Sequence, residues 1–196
     1  YLSARRRLYI TYPKRNKGWE MKIVNEELYF KEIEKHSLLK KASEIIENSR
    51  EVKALLKQAN IMSVNRLFYN DHGITHSRIV SGTSILIFDF LLKNNIFPSI
   101  LNDNEGTIED ARLATFLGAY FHDIGNAIHR EMHNVLGLIV LNNILDHVLS
   151  NFYVDERKIF IKNEVLNIVF SHFENIEPLT LESEIVRLAD GLDMSE

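Results

Sequence analysis

Apolar positions recur along this chain at intervals of three and four residues, the spacing that gathers them on one face of an α-helix. Leu28, Ile33, Leu38, Leu39, Ile45 and Ile46 mark one or two helices before Asn48, and a further helix is expected over 51–69. After the turn and cap residues Asn70-Asp71-His72-Gly73, His76, Val80, Ser84 and Ile87 keep helical spacing to about Lys93. The stretch 94–107, with Pro98 and Asn-Asp-Asn-Glu-Gly, reads as loop. Helix resumes at Glu109 and runs through Ala111, Ala114 and Leu117 to Ile124, where Gly125 is placed as a C-terminal cap. His129, His133, Gly137, Val140 and Ile144 share a stripe of the next helix, which ends near Leu149, and two more are expected over 154–173 and 181–194. The N-terminus departs from this pattern: residues 8–12 and 19–24 flank Pro-Lys-Arg-Asn-Lys-Gly and suggest a short hairpin or extended arm. The chain stops just after Asp190-Gly191-Leu192-Asp193-Met194, in what reads as mid-helix, as a fragment of a longer protein would.

The pattern is that of an all-α fold in one domain over 27–196, preceded by a basic arm or hairpin at 1–26. Composition agrees: 45% of the 196 residues are hydrophobic and 26% charged, and eight Gly with three Pro favour long helices over turn-rich sheet. Cysteine is absent, which excludes disulfides, thiolate zinc sites and cysteine nucleophiles. The longest apolar run, 85–92, is broken by Asp89 and falls far short of the roughly 20 residues that span a bilayer. The basic N-terminus lacks the apolar core of a secretory signal, so a cytoplasmic location is the default, with no membrane partner. Residues 1–25 carry seven basic side chains and one acidic, against 16 basic and 26 acidic in the remainder. Such an arm could touch nucleic acid, but no aromatic-basic motif accompanies it, and a solvated arm or interface element is the simpler reading. Oligomeric state is open, and a homo-oligomer is compatible with the sequence.

Charge and composition narrow the chemistry further. G-x-G-x-x-G, G-x-x-x-x-G-K-[ST] and G-x-S-x-G are all missing. His129-Arg130-Glu131-Met132-His133 resembles the zinc-protease motif H-E-x-x-H, but its Glu is shifted by one residue, about 100° around a helix and away from the histidines. What remains is a set of imidazoles and carboxylates in apolar helical segments: His76, His122-Asp123, His133, His172 and Asp190. Polar groups in such places are costly unless paired or bound to metal. Five segments contributing nitrogen or oxygen donors, without cysteine, point to a shared site for a hard or borderline metal.

The order His76, then His122-Asp123 in Phe-His-Asp-Ile-Gly at the end of an apolar helix, then Ala189-Asp190, resembles the HD superfamily of metal-dependent phosphohydrolases. The resemblance covers about 70–196 and implies a helical HD-domain bundle. It also implies that His76, His122, Asp123 and Asp190 hold one divalent ion, with Asp123 bridging to a second held by His133 and His172. One or two ions of Mn, Mg, Fe or Zn are compatible. His133 fits the family pattern better than His129 as the ligand, and Asp190 is preferred to Asp193. Many phosphodiesterase relatives have Lys where this chain has Asn126, and Gly-Tyr-Pro is absent, which argues against a cyclic dinucleotide.

Two divalent ions bring more positive charge than Asp123 and Asp190 cancel, so the site would attract phosphate and generate metal-activated hydroxide. The expected reaction is hydrolysis of a phosphomonoester or phosphodiester in a nucleotide or related small phosphate ester. Asp123 and His129 are the catalytic candidates, and Arg130 and Asn126 the substrate contacts. His72, His36 and His147 read as turn, surface or structural residues. The competing functions are a di-iron oxygenase, because similar helical sites bind iron, and a non-catalytic nucleotide-sensing regulator.

Overall fold

The computed structural model describes residues 9–13, 19–23, 25–69 and 72–193. The Arg5–Arg7 cluster, the turn at 14–18 and the Asn70-Asp71 pair lie outside these residues. Strands β1 (Tyr9–Pro13) and β2 (Trp19–Ile23) form an antiparallel hairpin in which Tyr9 pairs with Ile23 and Pro13 with Trp19. The remaining described elements are helical, in the order α1 (Glu26–Ile33), α2 (Ser37–Asn48), α3 (Arg50–Asn60), α4 (Ile74–Lys93), α5 (Ser99–Asn102), α6 (Ile108–Phe121), α7 (His133–Leu149), α8 (Arg157–Ser171) and α9 (Leu181–Gly191). Among the described residues no helix is long and apolar enough to cross a membrane.

The centre of the bundle is α6. Every residue from Asp110 to Phe121 is buried, and Leu113, Phe116, Leu117, Tyr120 and Phe121 are wholly inaccessible. A helix apolar on all sides needs neighbours on all sides, and α6 packs against α2, α4, α5, α8 and α9. Its start is set by a capping box: the Thr107 side chain accepts from Asp110 N and Asp110 accepts from Thr107 N. Polar ties join the surrounding helices. Arg78 of α4 donates to Glu47 of α2 (Nε, 2.9 Å) and to Glu26 of α1 (Nη1, 3.0 Å), and the Tyr120 hydroxyl donates to Glu47 (3.3 Å).

The departures from the expected elements have local causes. The helix expected over 51–69 gives up α-geometry after Asn60, widening into a π-helical stretch (Ile61–Arg66) that is followed by Tyr69 N donating to the Ser63 carbonyl. Within the expected loop lies the single turn α5, whose N-terminal Ser99 and Ile100 N–H groups donate to the Glu182 carboxylate of α9, both at 3.1 Å. That cap comes from 82 and 83 residues away and leaves no local signal. The helix that was expected to reach Ile124 stops at Phe121, and a 3₁₀ turn (Ile124–Ala127) follows. The next helix opens at His133, after Met132 in the left-handed region (φ 60°), so His129 does not share its stripe. The last helix closes at Gly191 rather than continuing to Met194.

Where α1 crosses α4, Gly82 allows backbone contact. A Cβ there would lie 2.5 Å from Tyr29 N and 2.7 Å from Tyr29 Cα. Gly82→Ala therefore has to separate two helices, and it should cost about 1–3 kcal/mol of stability, the usual range for overpacking. An unchanged chemical denaturation midpoint would contradict this packing.

Candidate metal centre

Five helix ends deliver the six donor residues expected from the sequence. His76 sits in the first turn of α4, His122 and Asp123 follow α6, His133 opens α7, His172 follows α8, and Asp190 lies in the last turn of α9. Helix ends are suited to this because their last carbonyls lack intrahelical partners. His122 Nδ1 donates to the Ala119 carbonyl (2.8 Å) and His172 Nδ1 to the Val169 carbonyl (2.7 Å), each three residues back at the end of a helix. His133 Nδ1 donates to the Arg130 carbonyl in the same way (2.9 Å). His76 Nδ1 donates to Asp193 Oδ2 (2.9 Å), so Asp193 orients an imidazole while Asp190 faces the other ring nitrogen. Fixing the far nitrogen of a ligand imidazole in this manner is the usual arrangement behind a metal.

These bonds decide the tautomers. A neutral imidazole has one N–H; with Nδ1 donating, Nε2 carries a lone pair. His76 Nε2 and His122 Nε2 nevertheless face each other at 3.0 Å, as do His133 Nε2 and His172 Nε2. Two acceptors at that separation repel unless a metal ion or a proton lies between them. Nitrogen ligands about 2.1 Å from one ion are about 3.0 Å apart at a right angle and about 3.4 Å at the tetrahedral angle, so the spacing is compatible with paired ligands.

Asp123 joins the two pairs. Its Oδ2 lies 3.6 Å from His76 Nε2 and 3.5 Å from His122 Nε2, and its Oδ1 lies 3.2 Å from His133 Nε2 and 3.7 Å from His172 Nε2. Asp190 Oδ1 completes the first side, 3.2 Å from His76 Nε2 and 3.4 Å from His122 Nε2. Among the described residues two triads therefore have ligand atoms within 4.8 Å of one another: His76, His122 and Asp123, and Asp123, His133 and His172. The donor set, nitrogen and carboxylate oxygen without sulfur, fits divalent first-row metals.

The electrostatics show how strongly the site calls for positive charge. Burial opposes ionisation of His76, yet hydrogen bonds to Asp190 and Asp193 push its pKa up to about 9. Burial likewise opposes ionisation of His122, but the charges of Asp123 and Asp190 lift it well above the usual imidazole range. Burial would raise the carboxyls of Asp123 and Asp190; the His122 charge outweighs it and holds both below the ordinary carboxylate range. At His172 burial prevails and keeps the ring neutral, as a ligand must be.

The other sequence candidates separate by position. Arg130 reaches the centre, with Nη1 3.6 Å from Asp123 Oδ1 and the guanidinium over the Tyr69 ring. Asn126 is fully buried and donates to Asp123 Oδ1 (2.9 Å) and to the Asp123 carbonyl (3.0 Å), so its side chain positions the shared carboxylate. His129 is exposed on the loop before α7, where its Nδ1 accepts from Glu131 N, away from the ligand cluster. His36 bonds Asp89, and His147 is exposed on α7. His72 is not the plain turn residue expected: it is buried against His76. Its place four residues before His76 was the sequence signal for it.

Gly125 has a different task from the helix cap expected of it. A Cβ at this position would fall 1.9 Å from the His133 carbonyl oxygen and 2.5 Å from Gly137 N. The 3₁₀ turn after Asp123 thus lies directly on the first turn of α7, which sets Asp123 beside His133.

A family model of the HD domain matches residues 74–195. An uncharacterised protein of Methanocaldococcus jannaschii is 41% identical over 153 residues, 78% of this chain and 59% of that protein, so the chain spans about three fifths of its relative's length. No solved structure matches the chain.

Metal titration of the metal-free protein should give one ion per triad, with saturation at 100 times Kd raising stability by about 2.7 kcal/mol per ion. His172→Ala should retain the ion of the His76 side alone, whereas Asp123→Ala should weaken both. Equal stoichiometry in wild type and His172→Ala, measured by elemental analysis, would contradict the two-sided centre.

Proposed function

We propose that this chain, which belongs to the HD domain family of metal-dependent hydrolases, cleaves a phosphomonoester or phosphodiester bond in a nucleotide or related small phosphate ester. The observation that carries the reading is the pair of imidazole couples facing across one shared carboxylate. His76, His122, Asp123 and Asp190 would hold one divalent ion, and Asp123, His133 and His172 a second. Bound there, such ions supply Lewis acidity, positive charge for a phosphate and a lowered pKa of water.

The chain's own groups account for the rest. Asp123 and Asp190 cancel about half the charge of two divalent ions, which leaves a site attractive to an anion. Asn126 holds the Asp123 carboxylate in the orientation that serves both sides. Arg130, whose side chain is 35% exposed, can turn its guanidinium toward phosphoryl oxygens and stabilise the charge that builds on them. The rings around the carboxylate are buried, whereas the side chains of Asp190 and Arg130 stay partly exposed to water.

Arg130→Ala should lower kcat by about 10²-fold, the scale for removing one preorganised donor to the transition state, while metal content stays at the wild-type level. Assays with bis(p-nitrophenyl) phosphate and a nucleotide panel, with added Mn²⁺, check this and the parent activity. Absence of phosphate-ester cleavage by metal-loaded wild type, or oxygen uptake in its place, would overturn the reading.

A further inference from the structure

Beside the His133–His172 couple the surface opens into a hollow of about 560 Å³, within the range of small-molecule sites, about 300–1,000 Å³. Its walls come from the start of α7 and the end of α8. Met132 and Val135 lie on either side of His133 in the chain, Phe170 and Phe173 on either side of His172, and Ile176 adds to the wall. The open surface between them is almost wholly apolar.

Two contacts join this hollow to the metal centre. The Phe173 and His133 rings meet edge to face, with centroids 5.7 Å and planes 81° apart. Arg130 lines the hollow and also brings Nη1 to 3.6 Å from Asp123 Oδ1. The two walls are tied to each other as well: Asn134, 5% exposed, donates through Nδ2 to the Phe170 carbonyl (3.1 Å). Met132 is held at φ 60°, a costly conformation for a residue with a side chain, and is 66% exposed; Phe170 is 38% exposed. Concave apolar surface next to a reactive centre is what a ligand covers.

The chemistry of the walls selects the occupant. Beyond Arg130 no lysine or arginine among the described residues lines the hollow, and Glu131 adds a carboxylate, so a second phosphate is disfavoured there. Two phenyl rings and a thioether suit the flat face of an aromatic ring. We propose that this hollow is the subsite for the base of a nucleotide whose phosphate lies on the metal centre. The base lies against Phe170 and Phe173, and Arg130 stands at the junction between base and phosphate. The assignment rests on the phosphohydrolase reading and narrows it to esters that carry an aromatic ring.

The test measures the inhibition constants of AMP and of ribose 5-phosphate, which lacks the base, against bis(p-nitrophenyl) phosphate cleavage by the metal-loaded protein. Wild type should hold AMP about tenfold or more tighter, the scale of stacking one base on an aromatic side chain. Phe170→Ala strips one wall and Val135→Trp fills the hollow. Either should bring AMP to the level of ribose 5-phosphate, with the constant for ribose 5-phosphate and the metal content as in wild type. Equal constants for the two compounds in wild type would overturn the assignment alone, since cleavage would still uphold the phosphohydrolase reading. An AMP advantage that survives both variants would overturn it too, as would an equal loss of both compounds in both variants. Absence of cleavage by metal-loaded wild type removes the phosphohydrolase reading and this subsite with it.

Discussion

Facing lone pairs are the constraint on which this molecule is organised. Three imidazoles donate Nδ1 to a backbone carbonyl and a fourth to Asp193, which forces four Nε2 acceptors inward in two couples at 3.0 Å. The arrangement is repulsive without positive charge, and the raised pKa of His76 and His122 is the same demand expressed through protons. Among the described residues, Asp123 is the side chain common to both triads. Displacing it would uncouple the two sides, which is why Asn126 and the close approach at Gly125 both serve its position.

The apolar bundle is what makes this geometry enforceable. Helix α6 is buried from Asp110 to its end, which lies where His122 and Asp123 must project. Its neighbours are held by long-range polar ties, such as Arg78 on Glu47 and Glu26, and the Glu182 cap on α5. Such ties narrow the angles and depths at which α4 and α9 can dock. Donor side chains at helix ends are sensitive to those angles, since a tilt along the helix is amplified at its tip.

Much of the site could be read from the sequence because its donors are chemically conspicuous. A His-Asp doublet closing an apolar helix, and single imidazoles inside other apolar helices, stand out against the cost of burying them. The helix periods placed α4, α6, α7, α8 and α9 within a few residues. What escaped was decided by distant partners or backbone detail. The α5 turn depends on Glu182, far away in sequence. His129 was grouped with His133 by a period of four, but Met132 in the left-handed region restarts the helix and leaves His129 on a loop. Asp190 is preferred to Asp193 on the sequence, but spacing alone does not say that the one carboxylate faces Nε2 of His76 and the other its Nδ1. Gly125 carried the right importance for another reason, since its near neighbour lies on α7 rather than on its own helix.

The central claim is that the four imidazoles meet on metal through Nε2, two to each ion. X-ray absorption spectroscopy of the zinc- or manganese-loaded protein in solution tests it most directly. The account predicts a first shell of nitrogen and oxygen alone, with multiple scattering from two imidazole rings per ion and a metal neighbour across the shared carboxylate. A shell of water and carboxylate oxygens without imidazole scattering would contradict it.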